Sequence, residues 1–513
     1  MDSLSAKPIL AIGAVVLLAA AGATVFGLRT RAAAARLPSV PSLTGRPPSL
    51  VEQVEAADRE ARRSPTRADV VGALGMTYHA DLFYDEAIGA YALAAELDPT
   101  EWRWPYYQSL VHTERGQLDR AIDALTVVVR LRPDHGLAWW RLGESEFKRA
   151  KYQDADSAYA RAEASPASGD EPGVATYARV GRARVAFNRG DRESAATILK
   201  AIVQAAPRFG VAHRVLADVF RADGREADAD RHGALGAALR VYSGPPDPQM
   251  NALADLSRSS VFLLRFAASL DLTRDALRRE QVVRRALESD GQNPDVVYEM
   301  GALLQQLKRP ADALPYFTRH LEMGADRQQT LVQLGKCYTD LGRLDEAEAT
   351  LRKGLMLGDD AVGFHNLGVV LEQSGRYAEA EASYRRAVAL GPGLASARNN
   401  LGAMIAARGQ FDEAARFLLE SIRLDPTAPN AYVNLSAVRL QQGATADAIA
   451  YARLAIDLAP RHADAHANLG VALARAGNLD AAQQELEIAV SIDPRHTNAR
   501  RNLAAIAGER QRD

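Results

Sequence analysis

The sequence predicts an all-α solenoid of about twelve 34-residue helix-turn-helix repeats in two superhelical arrays, preceded by one transmembrane helix. Three observations lead there. Asparagine precedes leucine and a small residue at Asn366, Asn400, Asn434, Asn468 and Asn502, each 34 residues after the last. Glycine and proline keep the same phase, with Gly409, Gly443 and Gly477 at the fifteenth position and Pro426, Pro460 and Pro494 at the thirty-second of units that start at 395, 429 and 463. Finally, Pro8 to Leu28 is an uncharged run of 21 residues, long enough to cross a bilayer as a helix.

At the N-terminus, residues 1–7 form a short tail and 8–28 the predicted anchor. Arg29, Arg31 and Arg36 follow the apolar run and Lys7 precedes it, so the positive-inside rule leans toward a cytoplasmic body. The competing reading is a cleaved secretory signal ending among the small residues Ala21 to Ala23, which would place the body in the periplasm. No cysteine stands near the end of the run, which excludes a lipid-modified cysteine there. Residues 29–49, with Pro38, Pro41, Pro47 and Pro48, read as a semi-extended tether holding the body off the membrane. Taken together, this predicts a single-pass protein of a bacterial inner membrane.

Each feature of the repeat has a mechanical reason. Phe364, Leu367, Gly368 and Leu371, at positions 4, 7, 8 and 11, share one helical face by the 3.6 period. Glycine at 8 and alanine at 20 let paired helices approach closely, and glycine at 15 ends the first helix. Such a pair cannot bury its apolar face alone, so neighbours stack. The first unit, with Leu74, Gly75, Tyr78, Ala87, Tyr91, Ala94 and Pro99 at 7, 8, 11, 20, 24, 27 and 32, strongly resembles the tetratricopeptide repeat.

Unit starts fall near 68, 102, 136, 176, 210, 260, 294, 328, 361, 395, 429 and 463. The unit at 102 lacks the leucine-glycine pair and the unit at 260 has Arg279 in place of alanine, so both are expected to be distorted. Extra residues around "SPASGDEPG" predict a loop between two repeats. Pro245, Pro246 and Pro248 interrupt the period more deeply. The predicted organisation is therefore an N-terminal array over 50–243, a proline-rich break over 244–258, a C-terminal array over 259–496, and a capping helix and tail over 497–513.

In arrays of this kind the first helices line the inner groove, and the recurrent asparagines, at position 6, form a ladder along it. Asn399 and Gln333 lie beside or in phase with that ladder, over the small position-9 residues Val369, Ala403, Ala437 and Val471. A carboxamide donates and accepts, so it can satisfy a guest peptide backbone whatever its side chains. Five rungs at about 1 kcal/mol each would supply on the order of 5 kcal/mol before association costs. The array resembles the repeat superhelix of the O-linked N-acetylglucosamine transferases, and the resemblance implies backbone binding by Asn366, Asn400, Asn434, Asn468 and Asn502. Their catalytic region has no counterpart here, so that activity is not expected. An equally direct reading makes the asparagines a bond between neighbouring helices.

In the N-terminal array Trp102, Trp104, Trp139 and Trp140 fall in two adjacent units. By phase Trp139 belongs to the core. Trp140, Tyr106, Tyr107 and Arg141 are candidates for an aromatic and cationic contact with a partner, alongside the plainer reading of repeat packing.

The rest of the sequence excludes more than it adds. A formal net charge of -2 gives no case for nucleic acid. Phosphate-loop, zinc-protease, nucleophile-elbow and haem-attachment motifs are missing, so no enzyme activity and no cofactor are expected. His462 and His466 are four apart without an evident third ligand, and no metal site is predicted. The function this supports is a membrane-anchored scaffold for other proteins, whose C-terminal groove grips extended peptide segments. The rival is an accessory subunit that recruits substrate to a separate glycosyltransferase, polysaccharide export or cytochrome assembly machine.

Overall fold

The computed structural model describes residues 24, 27–166, 173–239, 244–272 and 274–510. Among them every regular element is a helix, numbered α1 (residues 27–36) to α28 (Thr497–Arg510). Twelve antiparallel pairs start within two residues of the predicted positions. The chain forms two compact units.

Unit 1 comprises residues 1–202 and 242–296. A leading helix α2 (Pro48–Arg63) precedes the pairs α3 (Ala68–Ala80) and α4 (Tyr84–Leu97), α5 (Arg103–Glu114) and α6 (Leu118–Leu131), α7 (Gly136–Lys148) and α8 (Tyr152–Glu163), and α9 (Val174–Asn188) and α10 (Arg192–Ala205). The later stretch adds a short helix, α13 (Pro248–Leu256), and the pair α14 (Ser260–Ser269) and α15 (Ala276–Ser289). The irregular repeat at 260 does depart from the others, since α14 has 10 residues where α20 (Ala361–Gln373) has 13.

Unit 2 comprises residues 203–241 and 297–513. It holds α11 (Gly210–Ala222) and α12 (Glu226–Ala238), then six further helix pairs in regular succession and the single helix α28. The last four pairs are α20 with α21 (Tyr377–Leu390), α22 (Ala395–Ala407) with α23 (Phe411–Leu424), α24 (Pro429–Gln441) with α25 (Thr445–Leu458), and α26 (Ala463–Arg475) with α27 (Leu479–Ile492). One apolar core runs from Ala347 and Leu351 through Leu367, Tyr384, Leu401 and Leu418 to Leu435 and Val438, so adjacent repeats share their buried surface.

The glycines act as the pattern requires. A Cβ on Gly368 would lie 2.6 Å from the Tyr384 ring, and one on Gly402 2.8 Å from Leu418, so only glycine lets the second helix lie this close. Gly375, Gly409 and Gly443, at position 15, have φ of 75°, 78° and 79°, the left-handed conformation that ends a first helix. Leu82, Ala150 and Lys308 occupy the same phase at φ 69°, 57° and 60°, each accepting the strain a side chain brings to that turn.

The proline-rich segment after the apolar run is not held away from the body. Helix α1 extends to Arg36, which pairs with Glu96 at 2.6 Å, and Ala33 and Leu37 are buried. Arg62 donates to the Pro38 carbonyl at 3.1 Å, and the Arg46 guanidinium lies 5.2 Å from the Phe83 ring centroid. Apolar contacts and three arginines thus fix the segment on the leading helix and the first repeat. Among the described residues no helix is long and apolar enough to cross a membrane, and most of the predicted anchor, 8–28, lies outside them.

Candidate peptide-binding surfaces

In unit 2 the asparagine ladder is built by the first helices α20, α22, α24, α26 and α28, each contributing one rung. The rungs from Asn434 back to Asn366 are joined through Asn399 and His365. Asn434 Nδ2 donates to Asn399 Oδ1 at 2.9 Å, Asn399 Nδ2 to Asn400 Oδ1 at 3.0 Å, and Asn400 Nδ2 to His365 Nε2 at 3.3 Å. His365 Nδ1 then donates to Asn366 Oδ1 at 3.2 Å. Burial holds the His365 imidazole below its ordinary 6.5, although the bond to Asn366 works the other way. The ring is neutral at pH 7, and this relay fixes its tautomer, with Nε2 accepting and Nδ1 donating.

The rungs are not equivalent. Asn366 is buried, and its Nδ2 finds no partner among the described residues. Asn400 is engaged on both sides, since its Nδ2 also reaches Tyr384 Oη at 3.4 Å. Asn468 donates to the Val433 carbonyl at 3.0 Å. For Asn434 and Asn468 the amide nitrogen is committed to the preceding repeat, and the Oδ1 accepts no hydrogen bond among the described residues. Asn502 is half-buried with a side chain that bonds to nothing among them. Gln333 is half-buried beside the Tyr298 hydroxyl, with which its side chain hydrogen-bonds. The position-9 residues Val369, Ala403, Ala437 and Val471 are all half-buried, whereas Leu367, Leu401, Leu435 and Leu469 at position 7 are buried.

In unit 1 the candidate aromatic and cationic residues divide. Tyr107 is core, stacked on Tyr91 at 5.4 Å between centroids. Tyr106, Trp140 and Arg141 converge instead on the residues before α13. Tyr106 Oη donates to Asp247 Oδ2 at 2.8 Å, Arg141 Nη2 donates to the same oxygen at 2.5 Å, and Arg141 Nε donates to Tyr106 Oη at 2.9 Å. Gly244 lies on Trp140 so closely that a Cβ would fall 2.5 Å from the indole, and Pro245 is buried. Burial raises the Tyr106 phenol well above 10; burial also works against the Arg141 cation, but Tyr106 and Asp247 more than compensate and raise it. Trp139, expected in the core, is half-buried, and its Nε1 donates to the Pro133 carbonyl at 2.9 Å.

Two aspartates that the repeat period could not single out complete this arrangement. Asp247 Oδ1 also caps α13, accepting from the Gln249 amide at 2.9 Å. Asp81, at the end of α3 and fully buried, accepts from the backbone amides of Arg258 and Ser259 at 2.9 and 3.1 Å. The Ser257 hydroxyl donates to the Ala80 carbonyl at 2.7 Å. The "GPPDP" of 244–248 reads as a helix breaker; its aspartate between two prolines was the available signal of a second role.

Elsewhere, His466 is turned to Glu485 at 2.7 Å and to the Pro460 carbonyl at 3.0 Å, while His462 contacts Asn430 at 2.9 Å. Among the described residues no three metal-ligating side chains gather. Cys337 is buried, which pushes its thiol up to about 12.

At the level of sequence no curated protein matches the chain. Among solved structures, it is similar to the APC/C hetero-tetramer Cut9–Hcn1, with 17% identity, a TM-score of 0.43, and coverage of 87% of this chain and 90% of that one. Yeast Tom70 is matched at 16% identity and a TM-score of 0.33, over 87% of this chain and 99% of that one. MamA is matched at 21% identity and a TM-score of 0.29, over 32% of this chain and 92% of that one. The assignment is carried by family profiles rather than by these distant superpositions. One profile described as tetratricopeptide repeat matches residues 106–170, 180–230 and 365–429, and a second of the same description matches 304–364 and 439–506. With its twelve helix pairs in phase with those matches, the chain belongs to the tetratricopeptide repeat family, a scaffold fold suited to binding other proteins or peptides.

Proposed function

We propose that the C-terminal array binds extended peptide segments through the acceptor half of its asparagine ladder. The observation that carries this reading is the division of labour in Asn434 and Asn468. Their amide nitrogens hold the preceding repeat, which fixes the side-chain orientation, while their Oδ1 atoms remain without a partner among the described residues. A row of pre-oriented acceptors 34 residues apart in sequence suits the backbone N–H groups of a strand-like guest. Preorganisation lowers the ordering entropy that binding has to overcome. The structural role of the asparagines and the binding role are then two halves of one side chain. Asn400, bonded on both sides, contributes mainly by holding Asn399 and His365.

A peptide array tests this with the full chain, overlapping peptides as probes, and a triple variant carrying Asn434→Ala, Asn468→Ala and Asn502→Ala. At about 1 kcal/mol per lost rung, affinity for the peptides bound by wild type should fall roughly a hundredfold while circular dichroism stays helical. Unchanged binding by a folded triple variant would leave the asparagines as repeat architecture alone.

The scaffold is further proposed to be held at a membrane by residues 8–28, with the body on the cytoplasmic side. The support is the 21-residue uncharged run and the arginines that follow it. Alkaline extraction of membranes should leave the full chain in the pellet; its quantitative release would refute the anchor.

A further inference from the structure

The contacts made by residues 244–259 follow a definite order along the chain. Gly244 lies on Trp140 of α7, Asp247 is gripped by Arg141 of α7 and Tyr106 of α5, and Ser257 to Ser259 end on Ala80 and Asp81 at the end of α3. The segment therefore crosses the first helices of three consecutive repeats, from the third back to the first. First helices are the elements that line the ligand groove in an array of this kind, and here the chain occupies that row itself.

The contacts at its leading end have the chemistry of ligand recognition. A half-buried guanidinium and a buried phenol share one carboxylate oxygen, and a glycine followed by a buried proline lies against the indole. Two donors on one aspartate oxygen, one of them a cation, favour a carboxylate over a neutral acceptor. Pro246 and Pro248, on either side of Asp247, are exposed, so the grip is on the aspartate and on the two residues at the start. The trailing end is fixed independently, by Asp81 and by Arg285, which donates to the carbonyls of Ala254, Asp255 and Ser257.

We infer that Tyr106, Trp140 and Arg141 form a binding site for an extended protein segment bearing a glycine-proline pair one residue ahead of an aspartate, and that the chain's own Gly244–Pro248 is its resident occupant, displaced when a partner presents the same chemistry. Ser257 to Ser259 stay on Asp81 and act as the hinge. This site lies in unit 1, apart from the asparagine ladder, so its failure and that of the ladder are separable.

A tethered occupant acts at an effective concentration on the order of millimolar, so a free peptide should not compete at micromolar concentration unless the latch is weakened. The test is fluorescence anisotropy of a labelled peptide with the sequence of residues 243–250 against the full chain. Asp247→Asn retains an acceptor for the α13 cap but removes the charge facing Arg141. This variant should bind the peptide at least tenfold more tightly than wild type. Adding Arg141→Met should abolish the gain, and a peptide with asparagine in place of its aspartate should not bind. Equal binding by wild type and Asp247→Asn, or an undiminished gain in the double variant, would overturn the proposal. So would loss of the helical circular dichroism in Asp247→Asn, because the segment would then be part of the fold and not an exchangeable guest.

Discussion

Replacing Tyr159 by alanine is expected to destabilise unit 1 by about 3–5 kcal/mol, the range found when a large buried aromatic is truncated. Tyr159 projects from α8 into a space made by two glycines. A Cβ on Gly143 of α7 would lie 2.7 Å from its ring, and one on Gly181 of α9 2.6 Å. Neither glycine has a side chain with which to refill the hole, and the backbones of three helices cannot collapse independently. The hydroxyl adds a smaller contribution, donating to Glu144 Oε1 at 2.6 Å, an oxygen that Arg184 also reaches at 2.7 Å. Tyr159→Phe should therefore cost only about 1 kcal/mol. Denaturant unfolding followed by circular dichroism separates the two. A loss below about 1.5 kcal/mol for Tyr159→Ala would mean that the repeats relax into the cavity, contrary to the packing described here.

Asp81→Ala is expected to cost a comparable amount, about 3–5 kcal/mol, for an electrostatic reason. Its removal takes the carboxylate acceptor from the amides of Arg258 and Ser259, and each buried donor left unsatisfied costs about 1–3 kcal/mol, with the loss of the side chain's own packing in addition. Burial pushes the Asp81 carboxyl up to about 6, against the pull of these amides and the Ser257 hydroxyl. The sign of the pH effect follows. A carboxyl raised above its unfolded value of 3.8 contributes stability that is fully present below that value and is lost as pH rises through about 6. Other carboxylates in the chain work in the opposite direction, so the measurement is a difference. The stability of wild type minus that of Asp81→Asn should decrease between pH 4 and pH 7, because asparagine keeps an acceptor and does not titrate. A difference that is flat or increases with pH would contradict the assignment of a buried, reluctantly ionised Asp81.

Much of this fold was legible because the repeat restates the same physics every 34 residues. Gly368, Gly402 and Gly470 were placed at the close approach of paired helices from phase alone, and the structure puts Tyr384, Leu418 and Leu486 against them. Phase also placed the asparagines on the first helices. It could not apportion their hydrogen bonds, because a half-buried amide is shared between the neighbouring repeat and solvent by differences of an ångström. What a period cannot contain is a contact between distant segments. Trp139 and Trp140 exchange their expected environments because Gly244 covers the second of them, 104 residues later in the chain. Leu37 and Arg36 sit in a stretch whose prolines suggested a free tether, yet one buried leucine and one ion pair with Glu96 hold it down.

The segment from Gly244 to Ser259 also changes how the protein must be made. A repeat array ordinarily folds as it emerges, each pair docking on the one before, since it needs only its nearest neighbour. Arg141 has to wait for an aspartate 106 residues downstream. At synthesis rates of about 5–20 residues per second, that is a delay of roughly 5–20 s during which its cation and the Trp140 indole stay uncovered. Through that interval the nascent chain exposes a sticky, positively charged face that the finished protein hides, and a chaperone or an early partner has its opportunity then.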